Sequence, residues 1–260
     1  MPYCATAMTH PVMLRSMLPR LHLCCAVIAC LWLGSWQALG AEPAAWRWQA
    51  VLVAGDDAQP VFDNAVDSLA QWLGTAGVPI SDIHRLSASR APRDPGVEPA
   101  SAGRIEQRIA SLRPQPGAGC LIFITSHGQQ GRGIWLANSG EYLQPASLAQ
   151  VLSIGCAAVP TVVIVSGCYS GAFTVGAMRA PNRVILSAAR ADRPSFGCQA
   201  DRTYTVFDEC LLSALPRAPT WRAVYEVSWG CVRAREKRLG VLASEPQASF
   251  GAAVRNLPIR

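Results

Sequence analysis

Along most of the chain, short runs of apolar and β-branched residues alternate with stretches in which apolar residues recur at helical spacing. This alternation constrains the fold more than any other feature of the sequence. The clearest runs are 120–125 and 161–165. Their apolar character is continuous, which is typical of strands buried on both faces of a parallel sheet. A third buried run occupies 183–187, a short one occupies 50–54 and a weaker one 80–86, and stretches of helical spacing lie among these runs. The sequence therefore predicts an α/β fold with a mostly parallel central sheet covered by helices on both faces.

Two of the predicted strands end in reactive side chains. The first clear run leads into Ser126-His127-Gly128, and the second leads into Ser166-Gly167-Cys168. Because the carboxyl ends of parallel strands meet at one edge of a sheet, we expect an imidazole and a thiol side by side there. An imidazole within hydrogen-bond reach of a thiol generates the nucleophilic thiolate. The pattern predicts Cys168 as nucleophile, His127 as general base and the Gly128 amide as an oxyanion donor.

Simpler interpretations of the same residues compete with this one. A cysteine at a strand end is often a small apolar residue, and a single histidine is often structural. His84 is the other histidine beyond the first 40 residues, but it lies inside a weak strand. A nucleophile elbow of the α/β-hydrolase type is excluded, because in that fold the histidine follows the nucleophile, whereas all four histidines here precede Cys168. A helix beginning near Ser170 is expected to direct its positive end at the thiol.

Two segments carry a family resemblance: Ile-Thr-Ser-His-Gly at 124–128 and Val-Ser-Gly-Cys-Tyr-Ser-Gly at 165–171. Together they resemble the legumain-like (C13) family of cysteine peptidases, in particular its bacterial members, within the caspase-like clan. The run from Ser187 to Cys198 strengthens the likeness, which spans roughly 50–212. The resemblance implies a caspase-like three-layer α/β/α sandwich. It also implies cysteine endopeptidase chemistry through a thioester, with neither a cofactor nor a metal.

The resemblance also assigns further site residues. Asp57 occupies the position of the family's histidine-orienting Asn, although a solvated loop residue is an equal interpretation. Asp63 replaces a pocket Arg and Ser166 a pocket Glu, while Ser195 and Glu209 match other pocket positions. These exchanges predict a more acidic pocket that prefers Arg or Lys, in place of the family's Asn, before the scissile bond. The alternative for Asp63 is a first-turn residue whose charge suits the helix dipole.

The first 40 residues are typical of an export signal, which leaves 41–260 as one peptidase domain. Arg15 and Arg20 precede an apolar run over 21–36, and Ala38-Leu39-Gly40 forms a cleavage site. An uncleaved anchor at 21–36 and a lipid on Cys30 remain alternatives. We expect a periplasmic or secreted protein that contacts membrane only through this segment.

Charge, metal-ligand spacing and cysteine content limit the nucleic-acid, metal and disulfide interactions expected of the chain. The formal net charge of +6 falls to +4 without Arg15 and Arg20, and the remaining basic residues form no stripe interleaved with aromatics, so nucleic acid is not an expected partner. No CxxC or HxxxH spacing indicates a zinc site. Six cysteines follow the leader; with Cys168 free, the other five allow two disulfides and one spare thiol, in a pairing that sequence leaves open.

The predicted function is therefore a cysteine endopeptidase that acts on a peptide or protein substrate. Two alternatives stay open: a transpeptidase or ligase of the same family, and a non-catalytic binding module on a caspase-like scaffold.

Overall fold

The computed structural model describes residues 47–90 and 94–259. The predicted export signal, together with its anchor and Cys30 alternatives, lies outside the described residues. The strands in chain order are β1 (Arg47–Ala54), β2 (Ile83–Ser87), β3 (Val97–Pro99), β4 (Ala118–Thr125), β5 (Gly128–Gln129), β6 (Gly133–Leu136), β7 (Glu141–Leu143), β8 (Thr161–Ser166), β9 (Arg183–Ser187) and β10 (Gln247–Phe250). The α-helices are α1 (Val61–Thr75), α2 (Ala102–Ala110), α3 (Pro145–Gly155), α4 (Val206–Ala214) and α5 (Trp221–Leu239).

Seven strands form the main sheet in the order β10-β9-β8-β4-β1-β2-β3. All neighbouring pairs are parallel except β10 with β9. The strand β4 is buried at every position and lies between β1 and β8. A separate antiparallel sheet of β5, β6 and β7 follows the end of β4 directly. The predicted mostly parallel sheet is confirmed.

Helices cover both faces of the main sheet. Alternate residues of the central strands pack with α1, α4 and α5 on one face, as Leu121 and Phe123 do. The intervening residues, such as Ile122 and Ile124, pack with α2, α3 and the small sheet on the other face. This three-layer α/β/α arrangement is consistent with a caspase-like fold.

Four details differ from the sequence prediction. The short strand β3 lies outside the predicted apolar runs, and the run 80–86 begins with a 3-10 turn at Ile80–Asp82. The strand β10 was not predicted, because Gln-Ala-Ser-Phe has little apolar character and is strand only through its pairing with β9. The helix expected near Ser170 is a 3-10 helix, Ser170–Thr174. Such a short element has a far smaller dipole than a full α-helix, so the predicted dipole effect on Cys168 loses most of its basis.

Two disulfides join elements of the sandwich. Cys120–Cys156 links β4 to the end of α3, and Cys210–Cys231 links α4 to α5. Cys168 and Cys198 are free thiols. The predicted count of two bridges and one spare thiol is thus confirmed. Across the part of the chain that the structure describes, none of the helices is long and apolar enough to cross a bilayer.

Candidate active site

The register of β4 and β8 brings the predicted nucleophile and base together. Thr125, the last residue of β4, is paired with Ser166, the last residue of β8. His127 and Cys168 each follow two residues later, and both line the same pocket. Both side chains are partly buried. The sheet therefore places an imidazole and a thiol at one edge, as the sequence predicted.

Glycines allow the two strand ends to touch. A Cβ built on Gly128 would lie 2.0 Å from the carbonyl oxygen of Cys168, and one built on Gly167 would lie 2.7 Å from that of Ser126. Real Cβ atoms do not approach backbone so closely, so a larger residue at either position would push the histidine and cysteine segments apart. This close approach explains why glycine occupies both positions.

Backbone amides beside the thiol are available as donors. The Trp135 amide donates to the carbonyl of His127 at 2.9 Å, so Gly128 forms a non-hydrogen-bonded pair with Ile134 and its own amide faces away from β6. Among the hydrogen bonds of the described residues, none is donated by the Cys168 amide. These two N–H groups are suitably free for a developing oxyanion. The assignment of Gly128 stays a prediction.

The imidazole of His127 packs against an aromatic ring. The Phe62 and His127 ring centroids are 5.3 Å apart, with an angle of 79° between the planes. Asp57, the predicted orienting residue, is exposed, and within the described residues no hydrogen bond joins it to His127. Its neighbour Asp56 is the buried one, and Asp56 Oδ1 accepts a hydrogen bond from the Ala58 amide at 2.7 Å. The sequence gave no sign that Asp56, and not Asp57, would be the buried carboxylate.

The thiol of Cys168 contacts Ser195 on the opposite wall. The Ser195 amide donates to Cys168 Sγ at 3.3 Å, and the Ser195 hydroxyl lies 3.7 Å from the same sulfur. Sγ also lies 3.5 Å from the Ser195 carbonyl oxygen, which accepts when the thiol is protonated. The structure thus brings Ser195, predicted as a pocket residue, to the nucleophile itself. A thiolate at this position would accept two hydrogen bonds.

The pocket around the thiol is narrow. Its volume is about 10 Å³, near the minimum for one water molecule. Its remaining wall includes Phe196, Cys198 and Thr205. Burial raises the pKa of the Cys198 thiol, and the nearby Cys168 and Asp56 add to this effect. Cys198 is therefore a weaker nucleophile at neutral pH than an ordinary cysteine.

Asp63 lies outside this pocket. Its carboxylate is buried and accepts hydrogen bonds from the hydroxyl groups of Ser87 and Ser89. Arg90 Nε lies 3.7 Å from the same carboxylate, and Arg90 also pairs with Asp67. The carboxylate that was predicted to attract a basic substrate side chain is therefore engaged by Ser87, Ser89 and Arg90, outside the pocket of the thiol.

Ser166 faces a different carboxylate. It is buried beside Asp208, whose Oδ2 accepts a hydrogen bond from Thr125 Oγ1 at 2.8 Å, while Oδ1 accepts no hydrogen bond from the described residues. Burial raises the Asp208 pKa to about 6, and the hydroxyl groups of Ser166, Thr125 and Thr205 limit the rise. Sequence reasoning missed Asp208, since an Asp in the first turn of a helix has an ordinary explanation in the dipole.

Glu209 lines a separate cavity. It forms ion pairs with Arg202 at 3.0 Å and Arg235 at 2.7 Å, beside a cavity of about 310 Å³. A larger cavity of about 530 Å³ lies between the start of α2 and β7 and includes neither His127 nor Cys168. In the described ranges, no group of three side chains is arranged to hold a metal ion.

A mostly parallel α/β/α sandwich with a free cysteine and a histidine at adjacent strand ends is consistent with a caspase-like fold. Residues 109–216 match the model of the peptidase C13 family, which confirms the resemblance to the legumain-like cysteine peptidases. The matched segment contains both His127 and Cys168, and it implies cysteine peptidase activity. No curated protein matches the chain significantly. The narrower likeness to bacterial members stays a prediction.

Proposed function

We propose that this protein is a cysteine endopeptidase with Cys168 as nucleophile and His127 as general base. The observation that carries the proposal is the shared pocket of the two side chains at the ends of paired parallel strands. The supporting observation is the Ser195 amide, which donates to Cys168 Sγ. This hydrogen bond holds the sulfur in a defined position within the pocket that it shares with His127.

The reaction follows from the positions of these groups. Cys168 Sγ attacks the scissile carbonyl carbon while its proton passes to His127, and the carbonyl oxygen becomes an anion held by the Gly128 and Cys168 amides. His127 returns the proton to the departing amine as the C–N bond breaks, leaving a thioester. Water then adds to the thioester with His127 as base, which releases the acid and the free thiol.

The preference for the residue before the scissile bond belongs to the same proposal. The predicted choice of Arg or Lys rested on Asp63, whose carboxylate is directed to Ser87, Ser89 and Arg90. Without that charge, the preference for a basic residue has no structural support, and the family's Asn is the stronger expectation. A fluorogenic library that varies this residue separates the two.

We also propose that the protein is exported and acts in the periplasm or outside the cell. The disulfides Cys120–Cys156 and Cys210–Cys231 support this, because such bridges persist in oxidising environments. The export signal predicted for the first 40 residues agrees with it. Expression with and without that segment, followed by fractionation, tests the assignment; an unprocessed protein with reduced thiols in the cytoplasm would contradict it.

The decisive experiment compares the purified protein with Cys168→Ala and His127→Gln on a diverse fluorogenic peptide library. We expect both variants to lose turnover by at least about a thousandfold. His84→Gln is the matched control, because His84 is the other described histidine beyond the leader and lies on β2, away from the pocket; it is expected to keep full activity. Turnover that survives Cys168→Ala would overturn the proposal, and transfer to an added amine in place of hydrolysis would make the enzyme a ligase.

A further inference from the structure

The wall opposite the catalytic pair is a loop without helix or strand, residues 190–198, here called the 190–198 loop. Ser195 on this loop donates its amide hydrogen to Cys168 Sγ. The residue after the nucleophile is tied to the same loop, because the Tyr169 amide donates to the Arg193 carbonyl at 2.8 Å. The position of the loop therefore decides the shape of the pocket around the thiol.

A second segment, residues 243–246, holds the loop from behind and is here called the strap. The Arg190 amide donates to the Ser244 carbonyl at 2.9 Å. The Arg193 guanidinium donates to the Ala243 carbonyl at 2.9 Å. Both hydrogen bonds connect the loop to the strap through backbone groups of the strap.

The carboxylate of Glu245 joins the two arginines of the loop. Its Oε2 lies 3.0 Å from Arg190 Nη1, and its Oε1 lies 3.2 Å from Arg193 Nη1. Arg190 also pairs with Asp192, and the hydrogen bonds from Asp192 and Glu245 raise the Arg190 pKa further above its usual range. One side chain on the strap thus fixes two points of the loop on either side of a bend.

The backbone of Glu245 is unfavourable for its residue type. Its φ is 53°, in the left-handed region, and within 47–90 and 94–259 Tyr169 is the other non-glycine residue with positive φ. Glycine or asparagine occupies this region at lower energy. Strained residues cluster where the surrounding structure has a use for them. Here the two are Tyr169, next to the nucleophile, and Glu245, at the other end of the same chain of contacts.

The strap itself is firmly anchored. The Ser244 amide donates to Oε2 of Glu236 at 3.0 Å, and Glu236 is buried on α5. The strap continues into β10, where Gln247 is paired with Ser187 of β9. A contact from Glu245 therefore transmits the position of the sheet and α5 to the loop.

We propose that Glu245 is a positioning residue, which holds the 190–198 loop against Cys168 through Arg190 and Arg193 and so forms the substrate-binding wall of the site. This inference rests on the proposed peptidase function for its kinetic consequences, but its structural consequence is independent of turnover. Cys168 and His127 directly follow β8 and β4, whose pairing with each other does not involve the side chain of Glu245. Loss of Glu245 should therefore weaken substrate binding more than the chemical step.

The test is Glu245→Asn, which suits the left-handed backbone and is too short to reach both arginines. We expect KM for a peptide substrate to rise about tenfold and kcat to stay within about threefold, with a thermal midpoint unchanged or raised. Glu245→Gln keeps the length of the side chain and one acceptor oxygen, so its KM should lie between that of Glu245→Asn and that of the native protein. Glu226→Asn, at an exposed position of α5, is the matched control and should change neither constant.

Amide hydrogen exchange gives the readout that needs no turnover. In Glu245→Asn, the amides of Tyr169 and Ser195 should exchange faster, while those of β4 and β8 stay protected. Unchanged exchange at these two amides would overturn the inference, as would a fall in kcat at constant KM. If the native protein shows no turnover at all, the proposed function fails, and the exchange result alone decides the role of Glu245.

Discussion

The ring of Phe62 meets the imidazole of His127 nearly at right angles, with 5.3 Å between the ring centroids. This contact restrains the histidine from the α1 side of the pocket, where no described hydrogen bond connects it to Asp57. Aromatic packing therefore contributes to the orientation that a hydrogen-bonding partner was predicted to supply. The strength of an edge-on contact of this kind is about 0.5–1.5 kcal/mol.

Phe62→Leu should lower kcat by about tenfold while leaving KM nearly unchanged, because the imidazole loses its fixed orientation but the substrate wall is intact. The matched control is Phe207→Leu, a change of equal size in the same core layer, since Phe207 is also buried. Steady-state kinetics and thermal midpoints of both variants give the test. Equal losses of activity in the two would show that packing alone is responsible.

Gly128→Ala should abolish most activity, with kcat lower by at least about a hundredfold. The new methyl group would lie 2.0 Å from the Cys168 carbonyl oxygen and would force the two strand ends apart. Gly103→Ala serves as the control, because a Cβ there meets nothing within 4 Å. The expected contrast is a folded but inactive protein beside a fully active one, measured by kinetics and circular dichroism.

Asp208→Asn should stabilise the protein above pH 6 and remove part of its pH dependence. Burial raises the Asp208 pKa to about 6, so the folded state holds this proton more tightly than the unfolded state. The penalty for ionising the group is absent below the unfolded pKa near 4 and complete above about pH 6, where it amounts to roughly 3 kcal/mol.

The measurement is the unfolding free energy of both proteins between pH 4 and pH 8, with the exposed Asp201→Asn as control. Native stability should fall through this range relative to that of Asp208→Asn. Parallel curves for the two proteins would mean that Asp208 is not a buried, protonatable group.

Alkylation should distinguish the two free thiols. Burial raises the Cys198 pKa, so little of this thiol is ionised near pH 7 and iodoacetamide should reach it slowly. Cys168 is expected to be labelled first, with loss of peptidase activity, and Cys198 only at more alkaline pH. Peptide mapping by mass spectrometry at pH 7 and pH 9 checks the order; prior labelling of Cys198 would contradict it.

Removal of one disulfide by Cys210→Ala with Cys231→Ala should lower the unfolding free energy by about 3 kcal/mol. The bridge closes a loop across 21 residues of sequence, and the unfolded chain gains freedom without it. Denaturant titration of the double variant gives the value. Because the bridge joins α4 to α5, away from the pocket, kcat at low temperature should be retained.

The sequence was sufficient for the strands that carry chemistry. Continuous apolar runs identify β4 and β8 without ambiguity, because both are buried throughout, and the residues that follow them are His127 and Cys168. The two edge strands, β3 and β10, were not predicted because neither forms a continuous apolar run. β3 is three residues long and ends in Pro99, and β10 is polar, so only pairing with a neighbour makes either a strand.

The pocket was less predictable than the nucleophile. An ungapped match assigned Asp57 and Asp63 by position, but whether a carboxylate faces the pocket depends on the direction of each side chain. Asp63 lies next to Phe62 on α1, and the helix turns Phe62 toward His127 and Asp63 toward Ser87. The adjoining residues of a helix point about 100° apart, so a shift of one position changes the partner completely.

The shortness of the two edge strands has a consequence for self-association. An edge strand presents a row of unpaired backbone groups, and a strand of a second chain can pair with them. Here one margin is β3, where Pro99 has no N–H to offer, and the other is β10, four residues long and followed by Gly251, which is pressed against the carbonyl oxygens of Ala180 and Pro181. Neither margin presents a long template, so the main sheet is poorly suited to intermolecular strand addition and to the fibrous aggregation that begins with it.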